Sequence, residues 1–508
     1  MPTRRAAGAI KTPAAAGPRA RVEMSVHTEP PRADYQRLSG SLRERWAELC
    51  RGYLPVRPLN SIWRFSRGLL PEDPEQGWKL HVPATVLTAG EVLRAVAPLL
   101  QRRGVLYKAT ATLAELDKLN SGIHYGYSQV GKFITVYPRN EEEAVLLAKG
   151  LHRLTRGMEA PAVPFDLLYR AGGCVYYRYG AFQMLEAEGG GGALSDAVRD
   201  PEGRLVPDRR DSATTPDWVT DPFVGRRPRR PKPSPTSPLK TTYRAFRALA
   251  QRGRGGVYQA LDVSAVPPRL CVLKEGRRAG EVSLDGRDGF WRVRHEGRVL
   301  AALGRAGVEV PRLYGSFEAE GNYYVAVEFI AGEDLDARLG RRQRRLPVAS
   351  ALRCGAALAR LVARIHEAGW VWRDCKPGNV VVTEGGALRP LDFEGACRVE
   401  STDPLPWGTP AFAPPEGGEE LSGRSRLPED LYALGAVVYF LLAGRTPDAA
   451  DPAPLSKMRR GLPADVLKVV GELLDPDPLR RPGALEAALR LEAAASPSKA
   501  RLAVRASG

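Results

Sequence analysis

The chain has 508 residues, with 75 Lys and Arg against 58 Asp and Glu, a formal net charge of +17. That length predicts two or three domains, and 43% hydrophobic with 26% charged residues is ordinary globular composition. The longest apolar run, 431–443, is too short for a membrane-spanning helix of about 20 residues, and six cysteines without a C-x-x-C pair argue against a disulfide framework or a zinc knuckle.

No apolar stretch follows Arg4 and Arg5, so no secretory signal is expected, and the default location is the cytoplasm. Only 13 of the 75 basic residues are Lys. The Arg excess, with abundant Ala, Gly and Pro, has the character of compositional bias, whereas each scarce Lys is a candidate for chemistry because it can release a proton. Arg does not interleave with aromatics in the most charged tracts, so no nucleic-acid partner is expected.

In chain order, residues 1–34 are Ala/Pro/Arg-rich and read as a disordered basic arm. A folded domain is expected over 35–185. Within it Val92, Val96 and Leu99 fall at helical spacing, with Pro98 expected to end or kink the helix, and 142–154 is a second helical pattern. The runs 133–137 and 174–179 are β-rich. Residues 186–240 read as a Gly/Pro/Arg-rich connector, partly docked through Trp218 and Phe223. A second domain follows over 241–490, then a tail, 491–508.

The second domain contains Trp372-Arg373-Asp374-Cys375-Lys376-Pro377-Gly378-Asn379 and, beyond an apolar stretch, Asp392-Phe393-Glu394. A carboxylate on a loop, an amide five residues later and a second carboxylate beyond a hairpin suit phosphoryl transfer: one acid orients a hydroxyl, while the amide and the other acid hold Mg²⁺ on the phosphates. Upstream, Lys274 ends a strand and Glu296 lies in a helical pattern; downstream come Gly408-Thr409-Pro410, Pro414-Pro415-Glu416, Asp430 and Arg481.

In this order the set resembles the eukaryotic-type protein kinase family, over about 243–490. The resemblance implies a bilobal fold, Asp374 as catalytic base, Lys376 on the transferred phosphoryl group, and Asn379 and Asp392 as metal ligands. Lys274 and Glu296 would position the α/β-phosphates of ATP or GTP, under a loop containing Gly253, Gly255 and Val257. Three departures stand out: Ala250 and Arg252 occupy the first two glycine positions, Trp372 replaces the usual His, and Glu394 replaces the Gly of D-F-G.

The first domain offers a different chemistry. Lys79 and His81, two apart on an extended segment, point to one side. Lys108 adds an amine able to act as base if its surroundings lower its pKa. A base for a Cα proton, a cation for the enolate and an acid for the leaving group are the parts that eliminate phosphate from phosphoserine or phosphothreonine. A solvated Lys/His strand is the alternative reading of these residues alone.

K-x-H, a distant Lys and a late R-Y-G, in a domain preceding a kinase-like one, resemble the class III lanthipeptide synthetases, whose N-terminal domain is similar to phosphothreonine lyases. The resemblance implies an α+β multidomain protein: a lyase-like α+β domain, then the kinase fold. It makes Lys108 the base, His81 the acid and Lys79 the cation beside the carbonyl. Arg178 becomes the phosphate clamp, and Lys132 and Tyr137 phosphate contacts on a strand. It also implies a ribosomal precursor peptide as substrate, phosphorylated and then dehydrated. No Cys or His follows Cys397 and the chain ends soon after Arg481, so no cyclase domain is expected, and a separate cyclase or cysteine decarboxylase is the implied partner. The alternatives are a regulatory Ser/Thr kinase with an N-terminal sensing domain, and a pseudokinase scaffold.

Overall fold

The computed structural model describes residues 32–183, 186–188, 194–209, 212–225, 228, 234–340, 345–401, 407–416, 425–448 and 454–496. Most of the basic arm, the glycine run, most of the Pro/Arg tract and the end of the tail therefore lie outside the described residues.

Two interleaved patterns build the first domain. Along β2 (Gln76–Val82), Trp78, Leu80 and Val82 alternate with Lys79 and His81, so the pleat sends them to opposite faces. The same alternation runs through β3 (Leu106–Thr110), β4 (Ile134–Tyr137) and β6 (Tyr176–Ala181). With β1 (Trp63–Phe65) and β5 (Leu167–Leu168) they form an antiparallel six-stranded sheet, order β1-β3-β4-β2-β6-β5. Helices α1 (Arg32–Tyr53), α2 (Ala89–Arg102) and α4 (Glu141–Thr155) share the core on the apolar face, through Trp46, Leu93, Val96, Leu147 and Leu151. A further helix, α3 (Leu113–Ser121), is capped by the Thr112 hydroxyl, which accepts the Glu115 amide.

Two expectations need correcting here. Helix α1 begins at Arg32, inside the segment assigned to the arm, and of the two outcomes expected at Pro98 the structure overturns the ending, since α2 continues to Arg102. Val92, Leu93, Val96 and Leu100 are fully buried on one stripe, and their burial outweighs the single backbone hydrogen bond that proline deletes.

The connector is more structured than its composition suggests. Strands β7 (Glu186–Glu188), β8 (Leu194–Arg199) and β9 (Leu205–Pro207) form a small sheet. Beyond them Phe223 is fully buried against Trp78, Tyr169 and Tyr177, whereas Trp218 remains 42% exposed.

A one-turn helix, α5 (Pro238–Thr241), leads into β10 (Tyr243–Arg252), β11 (Gly255–Asp262) and β12 (Arg269–Gly276). With β13 (Leu313–Ala319) and β14 (Asn322–Glu328) these make a five-stranded sheet packed on α6 (Gly289–Arg305). The following lobe is helical: α7 (Leu335–Gly340), α8 (Val348–Glu367), α9 (Leu427–Ala443), α10 (Leu455–Met458), α11 (Ala464–Leu473) and α12 (Ala484–Ala495). Helix α9 is apolar all round because α8 and α11 cover it; no helix among the described residues is long and apolar enough to cross a membrane.

The two domains touch directly. The Gly253 amide at the β10–β11 turn donates to the Ser121 carbonyl at 3.0 Å, and Arg277 donates to the Tyr127 hydroxyl at 2.5 Å. Leu284, between β12 and α6, packs on the first domain's core.

Candidate active sites

In the second domain, strand β12 delivers Lys274 beneath β11, where Val257 is its direct cross-strand neighbour. The Lys274 amine donates to both Glu296 oxygens, at 2.6 and 2.8 Å, and lies 3.6 Å from Asp392. The Phe393 amide donates to the same Glu296 carboxylate at 3.1 Å, tying α6 to the second acidic motif. Burial pushes the Glu296 carboxyl up and Lys274 pulls against it; burial acts the same way on Asp392, but there Lys274 and Arg254 prevail and hold the acid low. Gly255 allows the glycine loop to close on β12: a Cβ there would sit 1.7 Å from the Glu275 carbonyl oxygen.

Asp374 accepts from Lys376 at 2.7 Å and from the Asn379 side chain at 2.8 Å, and burial raises its pKa. Thr409 links the same group to the segment after Trp407, donating to Asp374 at 3.2 Å and accepting from Lys376 at 2.9 Å. Asp374, Lys376, Asn379 and Asp392 line one cavity of about 710 Å³.

The scaffold beneath is a chain of buried ion pairs and caps. Asp430 accepts the backbone amides of Trp372 and Arg373, both at 2.7 Å, and pairs with His366 at 2.9 Å. Arg481 makes a two-pronged pair with Glu416 at 2.6 and 2.7 Å. Trp372, where the family has His, is fully buried; its indole donates to the Asp392 carbonyl at 2.9 Å and its ring stacks on Phe393. Arg373 and Asp392 both have left-handed backbone, φ +67° and +62°, strain of the kind that collects at functional loops.

Most of the residues expected to hold nucleotide and metal line two cavities, the one just described and another beneath the glycine loop. Asp392 and Asn379 line the same cavity and offer oxygens of the hard kind a divalent cation takes, while the nearby carboxylates of Glu296 and Glu394 pair with Lys274 and Arg254. Gly253 differs: its amide is taken by Ser121 in the first domain, while Gly255, Val257 and Lys274 line the cavity beneath the loop.

In the first domain, sheet register collects the basic residues. Lys108, Thr135, His81 and Tyr176 are successive partners across β3, β4, β2 and β6, and Lys79 faces Arg178 on the same side one step along. Lys79, His81 and Arg178 are all at least nine-tenths buried. Lys132 stands on the turn before β4 rather than on the strand, with Tyr137 at the strand's end. Tyr137 packs edge-on against Phe182, and the Lys108 amine lies 4.2 Å from the centre of the Trp63 ring and 6.0 Å from that of Tyr137.

Two carboxylates that sequence reasoning missed organise this face. Asp166 pairs with His81 Nδ1 at 2.5 Å and with Lys132 at 3.4 Å. Burial lowers His81 to about 4 despite the pull of Asp166, with Lys132 and Lys79 adding to the lowering. Asp166 is brought down to about 2: burial opposes ionisation, but His81 and Lys132 outweigh it. Neutral imidazole facing a carboxylate must carry its proton on Nδ1, so Asp166 also sets the tautomer of His81. The second carboxylate, Asp208 just after β9, pairs with Arg178 at 2.6 Å, beside the Arg209 carbonyl at 2.9 Å. Gly180 leaves room for it, since a Cβ there would approach Asp208 Oδ2 to 3.0 Å. Neither acid stands out in a chain with 58 of them, because its partner comes from a distant segment.

Comparison with known proteins agrees with this division. Residues 57–234 match the family described as RamC, N-terminal domain, and residues 255–489 match the protein kinase domain. The chain is 31% identical over 427 residues to "Probable SapB synthase" of Streptomyces coelicolor, covering 81% of this chain and 43% of that protein. It is 31% identical over 252 residues to serine/threonine-protein kinase PknA of Mycobacterium tuberculosis, covering 47% of this chain and 56% of the kinase. It is 32% identical over 234 residues to PknL of the same species, covering 45% and 55%. The chain thus spans about half the length of these relatives. The likeness to class III lanthipeptide synthetases drawn from the sequence is borne out at the level of these matches: a region similar to the RamC N-terminal domain precedes one similar to the protein kinase domain.

Proposed function

We propose that the chain is a two-step dehydratase of the lanthipeptide type, acting on Ser and Thr of a ribosomal precursor peptide in the cytoplasm. What carries this reading is the face shared by Lys79, His81, Lys108 and Arg178, set in a domain docked on a kinase. The kinase creates the phosphoester that this basic face is equipped to destroy.

In the first step Asp374 takes the proton of the peptide hydroxyl as its oxygen bonds to the terminal phosphorus of ATP or GTP, and the bridging P–O bond breaks to release the nucleoside diphosphate. Lys376, bonded to Asp374, steadies the transferred group. Asn379 and Asp392 would hold Mg²⁺, which supplies charge neutralisation on the phosphates.

In the second step Lys108, as the amine, removes the Cα proton. The electron pair forms the Cα=Cβ bond, the Cβ–O bond breaks, and phosphate departs with a proton from His81. Lys79 stabilises the enolate, while Arg178 and Lys132 hold the phosphate. The product is dehydroalanine or dehydrobutyrine.

The test is mass spectrometry of the Ser- and Cys-containing peptide encoded beside the gene, after incubation with ATP or GTP and Mg²⁺. The wild type should remove one water per site. His81→Ala and Lys108→Ala should stop at the phosphopeptide, and Asp374→Asn should leave the peptide unmodified. Full dehydration by the His81 and Lys108 variants would refute the lyase assignment. Stable phosphopeptide from the wild type would favour a regulatory kinase instead.

A further inference from the structure

Two departures from the kinase pattern meet in space. Arg254, at the turn of the glycine hairpin, reaches Glu394, which stands in place of the D-F-G glycine, with Nη1 3.0 Å from Oε2. Arg254 lines both the cavity under the loop, with Gly255, Val257 and Lys274, and the larger one holding Asp374, Lys376 and Asn379. It therefore stands between the nucleotide cradle and the base, where a phosphoryl group in transit has to pass. Only 23% of its side chain is exposed, and Glu394, Glu281, Asp392 and Asp374 all favour its charge.

The backbone beneath Arg254 is held from three sides. The preceding amide, of Gly253, binds the Ser121 carbonyl of the RamC N-terminal domain, and the Arg254 carbonyl accepts the Arg277 amide at 2.8 Å. Gly289 passes so close that a Cβ there would lie 1.8 Å from the Arg254 carbonyl oxygen. In kinases generally the glycine loop is a moving lid; here the hairpin is tied down and its guanidinium aimed in advance.

We propose that Arg254 binds the terminal phosphate of the nucleoside triphosphate, and that Glu394 is a positioning residue that holds the guanidinium until the nucleotide arrives. An incoming phosphate is a competing anion with fork-matching oxygens. Glu394, once released, is left beside Asp392, where the cation accompanying the nucleotide offsets its charge. The arrangement accounts for Arg and Glu together: a glycine at 394 would leave Arg254 without its partner, and a short side chain at 254 would leave Glu394 unpaired. The proposal rests on reading the cleft as a phosphoryl-transfer site.

The test is equilibrium binding by the full chain, in Mg²⁺, of a non-hydrolysable ATP analogue and of ADP. Arg254→Ala should weaken the triphosphate by about tenfold or more, the loss of one charged hydrogen bond, and change ADP affinity by less than about twofold. Arg254→Lys should recover part of the difference. Glu394→Gln should tighten the triphosphate, since the guanidinium no longer has to leave a carboxylate. Equal loss of both nucleotides in Arg254→Ala, or wild-type affinity for both, would overturn the proposal while leaving the kinase reading in place. A wild type that binds no nucleotide would overturn both.

Discussion

His81 shows how a single side chain is set by what surrounds it. Its ring is sealed between the sheet and Asp166, with Lys79 and Lys132 close by, and its pKa falls to about 4. Below the ordinary value of 6.5 the unfolded chain takes up a proton that the folded site refuses, so the unfolded state binds more protons and stability falls as pH drops. The window runs from 6.5 down to about 4. Urea unfolding across that range should show the slope, and His81→Gln, which cannot titrate, should flatten it. An unchanged slope in the variant would assign the effect to other groups. In the proposed elimination, His81 would therefore start neutral, and a bound phosphate dianion, by offsetting Lys79 and Lys132, would favour its protonation.

Secondary-structure elements tell a second story, of local preference overruled by packing. Pro98 costs α2 a hydrogen bond in its interior, yet the helix persists because Val92, Val96, Ala97 and Leu100 are sealed in the core. Pro98→Ala should restore the bond and raise stability by about 1–3 kcal/mol, read as a higher melting temperature; a lower one would mean that the core is fitted to a kink. The connector shows the converse. A Gly- and Pro-rich composition predicts extended chain, but β8 and β9 pair, and Asp208 lands on Arg178 just beyond them. The kinase loops behave as their sequence suggests, because Asp374, Lys376 and Asn379 share one short turn and bond to one another.

At the scale of the whole molecule, the glycine hairpin of the kinase domain rests on the end of α3 in the other domain. Gly253 leaves no room for a side chain there, since an added Cβ would lie 1.7 Å from the Asn120 carbonyl oxygen. Gly253→Ala should push the hairpin off, at a cost of about 1–3 kcal/mol. Differential scanning calorimetry should then resolve two transitions where one is expected of the wild type, and affinity for triphosphate should drop as Arg254 loses its anchored backbone. A single, unshifted transition would show that the docking contributes nothing to stability.

The division between what sequence reading recovers and what it misses follows contact range. Asp374, Asn379 and Asp392 are legible as candidates because they fall at short spacings on loops, and the rarity of Lys among the basic residues marks Lys274, Lys79 and Lys108. Even the shared face of Lys79 and His81 follows from the two-residue period of a strand. The pairing of Asp166 with His81 spans 85 residues, and that of Asp208 with Arg178 spans 30. Arg254 meets Glu394 across the two lobes. Such partners are selected by strand register, by the path of a connector and by the docking of one domain on another. Those arrangements emerge only when distant apolar surfaces are buried together, and no local pattern of residues encodes them.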